Sequence, residues 1–253
     1  MAAGTTDRRP LPVVALAALL VTGCASSGAE PAADRTALPQ GSEPVELDPD
    51  DFTVDITNPW WPMEAGDRWV YEESDGKGGV ARVEVTVLDR TKTVAAGVKS
   101  RIVHDRVTED GELVEDTYDW YAQDADGNVW YLGEQTAEYE NGRVETTEGS
   151  WEAGVDGAQA GILLPADPQV GAGYRQEYLA GEAEDAGFVL STDEQVQVPT
   201  GLYEGTLMTR DTTALEPDLV ELKFYAPGVG PVMELPISGE SGRTVLTESR
   251  RAG

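Results

Sequence analysis

From Phe52 onward the chain is written in period two. Ala81, Val83, Val85 and Val87 alternate with Arg82, Glu84 and Thr86, and Val220, Leu222, Phe224 and Ala226 alternate with Glu221, Lys223 and Tyr225. Successive side chains of a strand point to opposite faces, so this pattern predicts half-buried antiparallel strands with one apolar side. Turn chemistry separates the runs: Asp75-Gly76-Lys77-Gly78-Gly79, Asp110-Gly111, Asp124-Ala125-Asp126-Gly127-Asn128 and Asn141-Gly142. Asp-Gly and Asn-Gly pairs adopt the positive φ angles of tight hairpins. No long helical periodicity occurs in this part, although Gly and Ala between Trp151 and Ile162 allow short helical turns.

One pattern occurs twice, about 104 residues apart. Gly66-Asp67-Arg68-Trp69 opens the first copy and Gly171-Ala172-Gly173-Tyr174 the second. Val83, Val85 and Val87 then align with Phe188, Leu190 and Thr192, and the turn Val94 to Val98 with the turn Val198 to Leu202. After a one-residue slip, Val103 matches Leu207, Arg106 matches Arg210, and Tyr118, Trp120, Tyr121 and Ala122 match Leu222, Phe224, Tyr225 and Ala226. The expected fold class is all-β: antiparallel sheets, as a sandwich or a curved half-barrel, built from two hairpin-rich repeats. The expected divisions are residues 1–23, 24–50 and an all-β domain at 51–253. The domain comprises repeat one (62–134), a connecting strip (135–167), repeat two (168–236) and a C-terminal strand. Trp120 and Phe224 are expected to point inward with Tyr118 and Leu222, which leaves Tyr121 and Tyr225 on the opposite faces.

The N-terminus has a different grammar. Arg8-Arg9 precedes an apolar run from Val13 to Val21, too short to span a bilayer and of the length of a signal-peptide core. The run ends in Val21-Thr22-Gly23-Cys24, which resembles the lipobox of bacterial lipoproteins. That resemblance implies diacylglyceryl modification of the Cys24 thiol, cleavage before it, and anchoring by two or more acyl chains. Arg8-Arg9 also admits twin-arginine export, although Pro10-Leu11-Pro12 fits that motif loosely. Ala25 to Asp50 contains Pro31, Pro39, Pro44 and Pro49 and no aromatic residue, so it reads as a flexible, disordered tether with a root-mean-square span of about 30 Å.

The formal net charge is −29, and it is −30 once Asp7, Arg8 and Arg9 leave with the signal peptide. Such a surface repels nucleic acid and anionic headgroups, so the expected partner is the membrane through Cys24, with no nucleic acid. Cys24 is the single cysteine, so no internal disulfide exists and no Cys-based zinc site remains.

Candidate chemistry is sparse. His104 is the single histidine and has Met208 as its counterpart in the second repeat, a packing position. No Gly-x-Ser-x-Gly elbow accompanies it. Asp124, Asp126 and Asn128 have the first spacings of a calcium loop, but Val129 and Gln135 stand where that loop needs Gly and Glu, so a hairpin turn is the better reading. Trp60, Trp61, Trp120, Trp130 and Trp151 are read as core before ligand platforms. Neither a metal nor a cofactor is expected, and the chain is read as not an enzyme. Tyr225 to Gly230, with the upstream Val-Pro-x-Gly turn, resembles a pattern of β-rich bacterial envelope proteins of unassigned function. The leading expectation is a lipid-anchored, non-catalytic binding or scaffolding module on the extracytoplasmic face of the cell membrane. The alternative is a carrier of a lipid or other apolar ligand, with Ile162-Leu163-Leu164-Pro165 as a lid. A carboxylate-based hydrolase is the third reading.

Overall fold

A computed structural model describes residues 38–252. Cys24, the signal peptide and the first part of the expected tether lie outside them. The strands are β1 (Phe52–Thr53), β2 (Arg68–Ser74), β3 (Val80–Thr93), β4 (Lys99–Glu109), β5 (Glu112–Asp124), β6 (Val129–Gln135), β7 (Glu138–Glu140), β8 (Arg143–Thr146), β9 (Trp151–Glu152), β10 (Gln159–Leu164), β11 (Gly173–Arg175), β12 (Glu177–Tyr178), β13 (Asp185–Val198), β14 (Gly201–Thr213), β15 (Val220–Ala226), β16 (Gly230–Ser238) and β17 (Arg243–Arg250). A single 3-10 turn, Pro49–Asp51, is the one helical element among the described residues.

All strand pairings are antiparallel, and they run in a ring. Strands β2 to β6 form one up-and-down meander, β6 pairs with β10, and β10 pairs with β12. The adjoining β11 pairs with β13, from which a second meander runs through β14, β15 and β16 to β17, and β17 closes on β2. Of the two expected forms the protein therefore takes the curved one, a single barrel-like sheet nearly closed on itself. Closure removes the exposed edges that a half-barrel would leave.

The barrel end reached by the end of β5 and the start of β6 is plugged by residues 54–67. Trp61 inserts there, 8% exposed, with its ring 6.0 Å from both Trp69 and Tyr121. Asn58 fixes the plug: its amide donates to the carbonyls of Gly127 and Pro165 while its side-chain oxygen accepts from the Trp60 amide. Asp67, fully buried, accepts from the amides of Glu64 and Ala252 and pairs with Arg251 at 2.9 Å.

The register corrects three expectations. Trp120 and Tyr118 do not face inward. Directly opposed residues share a face, and Val87, Val103 and Asp119 form one such row, while Tyr121 stands opposite Arg101 and Tyr131. The inward set of β5 is therefore Glu115, Thr117, Asp119 and Tyr121. Trp120 lies on the outer face, buried because Lys92 Nζ sits 3.6 Å over its ring. Likewise Tyr225 shares a face with buried Leu207, and Phe224 and Leu222 lie on the other. Nor do Phe188 and Leu190 match Val83 and Val85: Gly187 and Val189 stand opposite Asp211 and Thr209, on the inward face.

Residues 38–50 are also not free. Buried Arg175 donates from Nη1 to the carbonyls of Gly41 and Glu43 and from Nη2 to that of Ala160, and its amide donates to the Pro39 carbonyl. Leu38, Val45 and Leu47 pack against the core. Proline-rich composition predicts a mobile tether, but a buried guanidinium that needs acceptors recruits the backbone carbonyls of residues 39–43. Ile162-Leu163-Leu164 is likewise no lid: it is part of β10, with Ile162 and Leu164 fully buried.

Candidate functional site in the barrel interior

The inward face of the ring is apolar near the plug and polar farther along. Above Trp61, Trp69 and Tyr121 it carries carboxylates: Asp105 from β4, Glu115 and Asp119 from β5, Glu134 from β6 and Glu177 from β12. The register places Asp105 opposite Thr117, and Asp119 opposite both Val103 and Glu134. A bulge at Gly133 aims Glu134 inward. Gly133 has φ 136°, and a Cβ there would stand 2.5 Å from the Trp151 carbonyl and 2.9 Å from the Trp120 ring. Only glycine fits such a position.

On the opposite wall stand Asp211, Glu221, Lys223 and Glu234. Lys223 Nζ is 3.8 Å from Asp211 and 3.9 Å from Glu234, and this pairing with Glu234 holds its pKa well above the usual lysine range. Asp211 is also held by Gln176 at 3.0 Å and Thr209 at 2.7 Å. Lys223 and Glu234 keep 27% and 34% of their side-chain surface although protein surrounds them, so they line a space that solvent reaches. Two clefts lie toward the unplugged end. One, of about 580 Å³, includes Glu73, Glu221 and Arg243. The other, of about 440 Å³, includes Glu177 and Asp185.

Among the described residues no ion pair reaches Asp105, Asp119, Glu134 or Glu177, and the more distant Lys223 charge offsets only part of the shift at Glu177. Burial, the Asp119 charge and the Glu177 charge push Glu134 up to about 9. Burial and then Asp185 push Glu177 up to about 8. Asp119 rises only to about 6, because the Tyr131 hydroxyl donates to it at 2.7 Å and opposes the effect of burial. Asp105 is held well above the carboxylate range by burial and then by Asp119. At neutral pH several of these groups are thus neutral acids, held so by desolvation and by one another. Aromatic rings complete the wall: Tyr121 stacks on Tyr131 at 4.9 Å, and Trp151 meets Tyr131 edge-on at 5.3 Å. Glu177 is 8% exposed, and its Oε2 has no hydrogen-bond partner. The Trp151 indole N–H turns toward it without reaching hydrogen-bond geometry. The Tyr174 hydroxyl, with the residue 2% exposed, is also unpartnered.

The residues singled out from sequence lie elsewhere. His104 is on the outer face, stacked on Tyr118 at 4.3 Å with Nε2 2.7 Å from Asp116 Oδ1. Asp124 ties a hairpin turn: it accepts from the Asn128 amide and side chain and from the Trp130 indole. Trp61 and Trp151 border the interior, whereas Trp120 and Trp130 are buried on the outer face. Among the described residues no group of three or more His, Cys, Asp and Glu is arranged to hold a metal ion. No helix there is long and apolar enough to cross a membrane. The acid-lined interior was missed because inward positions were assumed apolar. Its one sequence signal is glycine inside β-prone runs, at Gly133 and at Gly187, where the Tyr174 ring takes the space of a side chain.

No family model matches the chain, and no curated protein does. Two solved structures resemble it. A Parabacteroides distasonis protein, which its name places among lipoproteins, is 14% identical with TM-score 0.43, over 76% of this chain and 98% of its own. A Bacteroides fragilis protein, named as exported with a YmcC-like fold, is 13% identical with TM-score 0.41, over the same shares. At that distance the reading of this chain rests on its own residues.

Proposed function

We propose that the protein is a lipid-anchored, non-catalytic binding module of the cell envelope, held at the membrane by Cys24, with its ligand site inside the barrel. One observation carries this reading: a nearly closed ring turns carboxylates and tyrosines inward, where a purely structural barrel would place hydrocarbon. Burying such groups costs free energy that folding alone does not recover. The same polarity weighs against the apolar-ligand alternative, since a lipid chain would leave these groups unpaired. Native mass spectrometry of the mature protein, released gently from membranes, tests the reading. A small-molecule mass increment that disappears in Asp119→Asn and Tyr131→Ala is expected. Bare protein throughout, or an increment indifferent to both substitutions, would overturn it. The facing pair Asp119 and Glu134 favours one second reading, carboxylate-based hydrolysis. Glycoside turnover by the wild type but not by Glu134→Gln would establish it.

A further inference from the structure

We propose that the acid-lined interior wall beside β5 and β6 binds an elongated organic cation with two or more protonated amines, a ligand of the polyamine class. This rests on the reading of the barrel interior as a ligand site and names what that site takes.

The first support is the layout of charge. Inward positions on a strand recur every two residues, roughly 7 Å apart. Glu115, then Asp105 opposite Thr117, then Asp119 thus descend the wall in steps, with Glu134 beside Asp119 at the bottom. Acids in a row match amines on short alkyl spacers. They do not converge on a point, and among the described residues none are grouped to hold a metal ion.

The second support is the want of a counter-charge. Lys223 is paired with Asp211 and Glu234 on the far wall. Its charge reaches Glu177 only at a distance and forms no ion pair there, and Glu177 is over nine-tenths buried with Oε2 lacking any hydrogen-bond partner. A buried carboxylate oxygen without a partner is costly, and an ammonium donor supplies both the hydrogen bond and the charge.

The third support is the surrounding rings. Tyr131 lies between Tyr121 at 4.9 Å and Trp151 at 5.3 Å, within reach of the Glu134 and Glu177 charges. Aromatic faces attract organic cations through their quadrupole. Acids and rings together recognise an alkylammonium better than a hydrated metal ion or a neutral sugar. Of the acids on this wall, Glu177 also lines a solvent-reached cleft together with Asp185.

Because Glu134 and Glu177 hold protons at neutral pH, an arriving cation displaces them. Binding therefore releases protons and strengthens as pH rises from 6 toward 9.

The test is titration calorimetry of the mature protein in detergent, with spermidine as probe, in two buffers of different ionisation enthalpy. Saturable binding with proton release at pH 7 is expected. Glu177→Gln and Glu134→Gln should each weaken it about tenfold or more, the scale of one charge-assisted hydrogen bond, while Glu145→Gln in the exposed β8 changes nothing. Absence of spermidine binding would overturn the proposal. So would equal competition by calcium chloride at matched ionic strength, or binding indifferent to both interior variants. If native mass spectrometry then finds a neutral or anionic small molecule lost in the interior variants, the cation class falls and the interior site stands. If it finds no ligand of any kind, both fall.

Discussion

The protein should lose stability as pH rises through the neutral range, the reverse of what paired surface carboxylates give. Glu134 and Glu177 are raised to about 9 and about 8 by burial and by neighbouring acids, against about 4.3 for an unfolded glutamate. Between these values the native state binds a proton on each group and the unfolded chain binds none. Stability therefore falls with pH, by about 1.4 kcal/mol per pH unit for each extra bound proton. Two groups give a slope near −2.7 kcal/mol per unit from about pH 6 to pH 7.5, or about 4 kcal/mol in all. Asp119, raised to about 6, adds to the slope below that pH. Groups lowered in the fold, such as Glu84 beside Arg68 and Asp75 under three backbone amides, act only in the acid range. A change of 4 kcal/mol is a large share of an ordinary domain's stability. Urea unfolding at pH 5.5, 6.5, 7.5 and 8.5 reads it directly, and Glu134→Gln should flatten the slope by about 1.4 kcal/mol per unit, the share of one proton. Stability that is flat or rising over that range would refute the reasoning, as would an unchanged slope in Glu134→Gln.

Further outcomes follow from other parts of the molecule. Cys24→Ala should leave the protein as precursor or release it from the membrane fraction, and membrane retention with normal cleavage would contradict lipidation at this position. Arg175→Met removes three side-chain bonds to the carbonyls of Gly41, Glu43 and Ala160. It should cost about 3 kcal/mol, as for a broken buried network, and expose residues 38–47 to limited proteolysis. Tyr121→Ala should cost about as much as Trp120→Ala, roughly 3–5 kcal/mol each, because both are nearly buried, at 6% and 5%; chemical denaturation of the two variants compares them. Gly133→Ala should destabilise by more than about 2 kcal/mol, since it adds a Cβ clash to a strained φ, and it should abolish the pH slope assigned to Glu134.

The sequence made the strands legible because alternation and turn residues are local properties. β3 shows Ala81, Val83, Val85 and Val87 on one side and is half-buried as expected. Asp110, Asn141 and Gly142 take the positive φ angles their turns require. The strip from 135 to 167 was legible only in part: its Asn141-Gly142 hairpin forms, but β10 is a structural strand. Which face of a strand looks inward is not a local property. In β5 the apolar face, with Tyr118, Trp120 and Ala122, is the outer one, and the polar face, with Glu115, Thr117 and Asp119, lines the barrel. The rule that apolar faces turn inward assumes a single buried side.

Here a strand can be buried on both sides, because the turn from Val94 to Val98 and the strip around Glu152 fold over its outside. Ala96 donates to the Ala153 carbonyl, the Ala95 amide donates to Glu152 Oε1, and Lys92 pairs with Glu152 at 2.8 Å above Trp120. The outer hydrocarbon layer supplies packing that a small polar-lined barrel cannot take from its interior. That division of labour lets the interior keep carboxylates whose burial would otherwise be prohibitive. It also accounts for the glycines. The Gly133 bulge lets Leu132 face the outer layer and Glu134 the inner one within three residues of chain, and the missing Cβ leaves room for the Trp120 ring. Apolar packing and inward carboxylates are thus separated by face, and the positions that read as core in the sequence and those of the candidate site occupy alternate residues of the same strands.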